Sequence, residues 1–175
     1  SYRHPLIEEA TLDEDGQGVT FKLKEGVKFH NGEEMKASDV MFSTNIALTG
    51  GFSANMDYLD MEQSEVLGDY EIHYRFNKVY GPWESGFTCV SVISQAAFES
   101  TDENEFWLSP VATGPFTISE WASGDHITLT RFDDYWDGPA QLREILGPEV
   151  PLSLPEVTRW VEDYIREGER ELPPE

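Results

Sequence analysis

The stretch TFKLKEGVKFHNGEEMKASDVMFSTNIAL, residues 20–48, carries the clearest information about the fold. Together with Val19, which directly precedes it, the first part of this stretch alternates in polarity. Val19, Phe21 and Leu23 therefore share one side, which is typical of a half-buried β-strand. The pair Asn31-Gly32 predicts a tight turn, since glycine adopts positive φ without strain. A strand followed by a tight turn is therefore expected at the start of this stretch.

A helix is predicted over residues 38–48, directly after that turn. Ser38 can accept a hydrogen bond as an N-cap, and Asp39 favours the positive end of the helix dipole. A lysine precedes them at position 36, and its side chain cannot accept from backbone N–H groups, so we place the cap at Ser38. An apolar stripe along the helix predicts packing against a sheet; it consists of Val40, Met41, Ala47 and Leu48.

A second informative stretch, PVATGPFTISEWASGDHITLTRFDDYW, occupies residues 110–136. It predicts antiparallel strands near 116–119 and 127–130, joined at Ser123-Gly124-Asp125. A further strand near 72–76 alternates after a turn at Gly68-Asp69. Together these patterns predict an α+β fold, a mainly antiparallel sheet with packed helices.

In this order and spacing, the two stretches resemble the family 5 extracellular solute-binding proteins, the peptide, nickel and glycoside receptors of ABC importers. That family carries a strand of the form FxLRxGVKFHDG, a helix beginning AxDVxFS, and later a PVGTGPY…W…G…L…N…YW block. The resemblance runs from about residue 12 to residue 145. It implies a partial solute-binding lobe at 1–146, similar to part of lobe I of a periplasmic-binding-protein type 2 fold.

The resemblance also implies a function: capture of an extracellular solute, most often a peptide, and its delivery to an ABC permease. Family members work at the periplasm or the cell surface, and the same location is expected here, with no signal peptide recognised within these 175 residues. Two lobes of the family close on the solute. Because the resemblance covers one lobe only in part, we expect the 175-residue chain to bind a solute weakly or not at all.

The resemblance places three candidate ligand-binding residues. The part of the family that approaches the cleft corresponds to about residues 87–94, which contain Cys89 and Ser91. Tyr58, in the preceding loop, is the third candidate. Aromatic side chains line the cleft in the family, and this chain has more of them than a small core needs, although Trp121 and Trp136 lie in the motif block and are interpreted as packing residues.

No catalytic or cofactor-binding pattern occurs in the sequence. Phosphate loops, GxSxG and HExxH are all absent, and His4, His30, His73 and His126 lie far apart in unrelated contexts. We therefore expect neither an enzyme nor a bound cofactor or metal. The one cysteine cannot form an internal disulfide, and no run of 18 apolar residues predicts a membrane span.

The charge of the chain is strongly negative. With 34 acidic and 12 basic residues, the formal net charge is −22. Such a charge repels nucleic acid and anionic membranes, so neither is expected as a partner. A solubilising acidic surface explains it most simply, and cation capture or a salty habitat is the functional alternative.

Residues 147–175 lie outside the resemblance and form a C-terminal linker and one amphipathic helix. A capping-box spacing at residues 153–156 starts the helix, predicted over 155–167. Its apolar stripe consists of Val157, Trp160, Val161, Tyr164 and Ile165. The helix could brace the sheet. Alternatively, the chain is an interaction or structural module that docks a protein partner or self-associates through this helix.

Overall fold

The computed structural model describes residues 5–50, 56–88 and 90–148 of the chain. In these ranges the elements are β1 (Ile7–Leu12), β2 (Gly18–Leu23), α1 (Ala37–Thr49), β3 (Leu59–Gly68), β4 (Glu71–Phe76), α2 (Trp83–Phe87), α3 (Gln95–Glu99), α4 (Glu103–Leu108), β5 (Phe116–Ala122), β6 (His126–Arg131) and β7 (Glu144–Pro148). All strand pairs are antiparallel. The predicted α+β fold is confirmed.

A four-stranded sheet in the order β1-β2-β4-β3 holds the main core. Its central strands bring Val19 opposite Tyr74 and Phe21 opposite Ile72, and all four side chains are at most 1% exposed. Leu23 extends the same row. Burial of each large apolar side chain contributes about 1.5–3 kcal/mol, so this row is the main apolar contribution to folding. The alternation seen in the sequence therefore marks the buried face.

Helix α1 begins one residue earlier than predicted, and Ser38 is not its cap. Lys36 holds the N-cap position in an extended conformation, and its N–H donates to Asp39 Oδ2 at 2.9 Å. Asp39 Oδ1 accepts from the Gln95 N–H, the first residue of α3, at 3.0 Å. An aspartate in the first turn thus replaces the missing acceptor at the cap and joins two helices.

A three-stranded sheet in the order β5-β6-β7 forms the second layer of strands. The predicted strands near 116–119 and 127–130 are confirmed and run a few residues longer, as β5 and β6. Strand β7 was not predicted. It adds to the free side of β6, with Ile145 opposite Leu129 and Gly147 opposite Ile127.

Strand β1 lies in a polar segment for which the sequence analysis predicted no element. Its sequence IEEATL has no apolar alternation, and nearly all of it is exposed. It forms because the backbone of β2 offers a free edge for pairing. Edge strands need little apolar pattern, so the sequence carries no signal for it.

Three other predictions have distinct outcomes. Asn31-Gly32 forms the expected turn, with Gly32 at φ 87°. The loop in which Tyr58 was placed falls partly outside the described residues, and Leu59 begins β3. The helix predicted over 155–167 lies outside them entirely.

Candidate binding surface

His30 joins the two sequence stretches that decide the fold. Its backbone N–H donates to the Ala112 carbonyl at 3.0 Å, and its ring Nε2 lies 3.0 Å from the Gly114 carbonyl. On the other side of the ring, Nδ1 lies 3.3 Å from the Pro110 carbonyl and 3.4 Å from the Ala112 nitrogen. The ring also meets Phe132 edge-on at 5.3 Å. This residue therefore fixes residues 110–114 against the four-stranded sheet.

Two further contacts reinforce this junction. Lys28 Nζ pairs with Asp134 Oδ2 at 2.7 Å, and Lys24 Nζ lies 4.1 Å from the centre of the Trp136 ring. Trp136 packs against the main core, which confirms its interpretation as a packing residue. Exposed ion pairs and cation–π contacts each contribute about 0.2–1 kcal/mol. They supplement the His30 contacts without replacing them.

Residues 90–94 cross the surface between α1 and this junction. Ile93 forms an isolated bridge with Ala112, and the Ser94 N–H donates to the Val111 carbonyl at 2.9 Å. From the other side, Ser43 Oγ on α1 accepts from the Ile93 N–H at 3.0 Å. Ile93 and Ser94 are buried, so the segment is held firmly at one end.

Ser91, one of the predicted ligand-binding residues, is exposed between two surface depressions. The larger one has a volume of about 560 Å³ and lies between α1, Ile93 and α4. The smaller one, about 290 Å³, lies between Leu6, residues 112–114 and Trp136. Among the described residues, neither the Ser91 hydroxyl nor the backbone N–H groups of Ser91 and Val92 donate to the protein. Because Ser91 is exposed, its hydroxyl and its backbone N–H are available to a ligand.

The other two predicted ligand-binding residues are not seen at this surface among the described residues. Cys89 lies outside the described residues. Tyr58 is fully buried: its hydroxyl donates to the Trp83 carbonyl at 2.6 Å and its ring stacks on Tyr80 at 4.5 Å. It supports the core beneath the surface in this structure. A direct solute contact of Tyr58 stays a prediction that its burial does not favour.

The larger depression contains side chains that the sequence did not single out as ligand-binding. Trp107 is 42% exposed, and it shares the depression with Glu103 from the same short helix. Phe98 and Phe106 support the Trp107 ring edge-on at 5.9 and 5.3 Å. Excess tryptophan in the sequence was a general signal for such a residue. Its place beside Ser91 depends on tertiary packing.

One exposed charge cluster lies away from this surface, where β2 turns toward α1. Glu34 accepts hydrogen bonds from the Tyr70 hydroxyl at 2.6 Å, the Gly26 N–H at 2.8 Å and Lys36 Nζ at 3.1 Å. These donors, with Tyr70 first, lower the pKa of Glu34 to about 2. The cluster ties the turn before α1 to the turn between β3 and β4.

Two kinds of site are missing from the described part of the chain. Within residues 5–50, 56–88 and 90–148, no group of three or more His, Cys, Asp or Glu side chains is arranged to hold a metal ion. None of the helices in those ranges has both the length and the apolar character to cross a bilayer.

Comparison with known proteins agrees with this geometry. The family model described as bacterial extracellular solute-binding proteins, family 5 Middle, matches residues 2–147. The oligopeptide-binding protein AppA of Bacillus subtilis (strain 168) is 28% identical over 155 residues, which are 83% of this chain and 28% of AppA. The glutathione-binding protein GsiB of Escherichia coli (strain K12) is 25% identical over 138 residues, 77% of this chain and 27% of GsiB.

Solved structures show the same fold. The Bacillus subtilis AppA structure with a nonapeptide superposes with a TM-score of 0.70 at 24% identity, covering 95% of this chain and 34% of AppA. NikZ from Campylobacter jejuni, in complex with Ni(L-His), gives 0.74 at 16% identity, covering 95% and 33%. This chain spans about a third of those chains or less. It belongs to the bacterial extracellular solute-binding proteins of family 5, a family of binding proteins and not of enzymes.

Proposed function

We propose that this chain is part of the first lobe of a solute-binding protein that captures an extracellular peptide and delivers it to an ABC permease. Relatives named for oligopeptides and for glutathione support a peptide-like solute. The location that follows is the periplasm or the cell surface. The lobe at 1–146, with a separate segment at 147–175, is part of this proposal.

The free backbone donor at the exposed Ser91 is the observation that carries the proposal. An extended peptide binds an exposed main-chain segment through backbone hydrogen bonds, and its side chains enter pockets beside that segment. Ser91 lies between two such depressions, and no lysine or arginine lines either of them among the described residues. The surface therefore offers main-chain recognition with mostly apolar pockets.

One wall of a cleft gives little affinity. Tight small-molecule sites enclose about 70–90% of the ligand surface. Both depressions beside Ser91 are open to solvent on one side, so the 175-residue chain covers a peptide on one face only. We expect dissociation constants of about 1 mM or weaker for this chain, about −4 kcal/mol of binding free energy.

An NMR titration of the 175-residue chain with a mixture of short peptides at millimolar concentration tests this function. Amide shifts are expected at Ser91 and Val92 and at the Trp107 indole, and none at the Glu34 cluster. Ser91→Pro, which removes the backbone donor, should abolish the shifts at neighbouring residues, whereas Ser91→Ala should preserve them. Shifts spread evenly over the surface, or a peptide bound at micromolar concentration, would contradict the proposed one-sided site.

The alternative function, an interaction module that docks a partner or self-associates, depends on the helix predicted over 155–167. That helix lies outside the described residues.

A further inference from the structure

The two depressions beside Ser91 differ in charge. Among the described residues, Glu103 on α4 is the one charged side chain that lines the larger depression. The smaller depression has no charged side chain among its described lining residues. Because Ser91 lines both, a peptide extended along it would place its side chains in two different environments. The larger depression is therefore the place where charge can select a solute.

The carboxylate of Glu103 is exposed and unpaired. Neither a salt bridge nor a hydrogen bond reaches it from residues 5–50, 56–88 and 90–148. Other acidic side chains in those ranges do have basic partners: Asp15 lies 2.7 Å from Arg75, and Glu34 lies 3.1 Å from Lys36. The Glu103 carboxylate is thus free to accept from a cationic ligand.

Trp107 supplies a second, independent feature of the same depression. It follows Glu103 by four residues on α4, so the two side chains share one side of that helix. Phe98 and Phe106 pack edge-on against its ring, with centroid distances of 5.9 and 5.3 Å, while much of the ring stays exposed. A partly exposed indole held in this way offers a cation a fixed aromatic face.

The C-terminal end of α1 forms the opposite wall. Three residues of this 13-residue helix, Ile46, Ala47 and Thr49, line the depression, and Gly50 follows them. The C-terminal end of a helix carries a partial negative charge from its last carbonyl groups. No basic residue lies in the last turn of α1 to neutralise it. Both walls of the depression therefore favour a positive group.

We propose that the larger depression binds an arginine side chain of the captured peptide, with its guanidinium stacked on Trp107 and donating to Glu103. A guanidinium is planar, stacks on aromatic rings and donates to a carboxylate as a fork, so it matches both side chains better than an ammonium does. The volume of about 560 Å³ lies within the range of about 300–1,000 Å³ that is usual for small-molecule sites. This proposal rests on the proposed peptide-binding function and adds a preference for a basic side chain.

Two blocked tripeptides test the preference. One is acetyl-alanyl-arginyl-alanine amide, and the other has citrulline in place of arginine, which keeps the shape of the side chain and removes its charge. Their blocked ends exclude a terminal ammonium as the bound cation. NMR titrations of the 175-residue chain, in about 0.15 M sodium chloride, follow the Ser91 amide and the Trp107 indole N–H. We expect the arginine peptide to bind about 3- to 10-fold more tightly than the citrulline peptide.

Three variants locate the preference. Glu103→Gln keeps the shape of the side chain, removes its charge and should abolish most of the difference between the peptides. Glu105→Gln is the matched control, because Glu105 is exposed, does not line the depression and changes the net charge equally when substituted. It should leave the difference intact. Trp107→Leu, followed at the Ser91 amide, should reduce the difference because leucine has no ring face. Circular dichroism of each variant checks that the fold is kept.

The outcomes separate this proposal from the peptide-binding function. An arginine preference that is lost in Glu103→Gln and kept in Glu105→Gln supports the proposal. If both peptides shift the Ser91 amide with equal affinity, the preference is overturned while the peptide-binding function stands. Equal loss of preference in the two glutamine variants would mean that net charge attracts the arginine, which also overturns it. If neither peptide shifts the Ser91 amide, the peptide-binding function fails and this proposal fails with it.

Discussion

The two sheets of this chain differ in how completely their apolar side chains are buried. On the four-stranded sheet, Phe21, Ile72 and Tyr74 are buried under α1 and the short helix α2, and almost none of their surface remains exposed. On the three-stranded sheet, Ile118 and Leu129 are only half-buried. The first sheet forms a core with other residues of the described ranges. On the second sheet, Ile118 and Leu129 keep part of their surface in solvent, so the two sheets should respond differently to substitution.

Truncation of a core side chain should produce the largest effect and should separate the two sheets. Phe21→Ala removes a ring that meets Phe87 at 4.9 Å, Tyr74 at 5.7 Å and Trp83 at 5.9 Å. We expect a loss of about 3–5 kcal/mol in the free energy of unfolding, measured by urea denaturation. Leu129→Ala should cost less than half of that, because Leu129 is already half-exposed. Equal losses would contradict the contrast between the sheets.

The junction between the sheets should give the next largest effect. His30→Ala removes the ring from the Gly114 carbonyl and from Phe132, and leaves a half-buried carbonyl without its donor. An unsatisfied group of this kind costs about 1–3 kcal/mol. Lys28→Ala, which removes only the exposed pair with Asp134, is the matched control and should cost about 0.2–1 kcal/mol.

Hydrogen exchange shows whether His30 acts on the junction or on one sheet alone. In His30→Ala, the Ala112 amide, which donates to His30 Nδ1, and the Ser94 amide, which donates to the Val111 carbonyl, should lose protection while those of β2 and β4 keep theirs. Uniform loss of protection would mean that His30 supports the whole fold and that the two sheets do not behave as separate units.

Local patterns predicted the well-packed sheet better than they predicted the rest. Alternation of Val19, Phe21 and Leu23 identified β2 because one face of that strand is buried and the other is not. Strand β1 has no such contrast, so its charged sequence gave no signal. The family resemblance also indicated the fold class. The two stretches that carry it, residues 20–48 and 110–136, contain parts of β2 and α1 and the strands β5 and β6.

Long-range contacts explain why the junction and the site were harder to predict. His30 acts as a structural residue, but its partners Pro110 and Gly114 lie 80 and 84 residues away, and no local pattern identifies them. Asp39 accepts from the Lys36 N–H, and α1 begins one residue earlier than expected. Its other partner, the Gln95 N–H, is also distant in sequence. Ser91 was singled out by resemblance alone, and Trp107 came to lie beside it only through tertiary packing.

Salt should stabilise the chain without changing the ranking of the two sheets. A net charge of −22 produces repulsion that screening relieves, since the Debye length falls from ~30 Å at 0.01 M to ~3 Å at 1 M. The melting temperature should rise with sodium chloride and to a similar extent with potassium chloride. Phe21→Ala and Leu129→Ala should shift in parallel with the parent chain. A jump with micromolar calcium and none with sodium would indicate a dedicated cation site instead.

The smallest expected effect is a pH dependence of opposite sign on the two sheets. Glu34, beside the four-stranded sheet, has its pKa lowered from 4.5 to about 2, chiefly by the Tyr70 hydroxyl. Its contribution to stability is therefore complete above about pH 4.5 and is lost as the pH falls toward 2. His126, on the three-stranded sheet, has its pKa raised above 6.5 by Asp125 and then by Glu120. Its contribution is complete below pH 6.5 and is lost as the pH rises through the raised pKa.

Two conservative substitutions should remove these dependences one at a time. Tyr70→Phe takes away the main donor to Glu34 and should flatten the acid side of the stability profile while leaving the profile near pH 6.5 unchanged. His126→Gln takes away the charge between Asp125 and Glu120 and should flatten the profile near and above pH 6.5 only. Both clusters are exposed, so solvent screening keeps each change small. NMR titration of the two side chains measures the pKa values directly. If His126→Gln shifted the pKa of Glu34, the two sheets would be electrostatically coupled, and the independence inferred from their separate packing would be wrong.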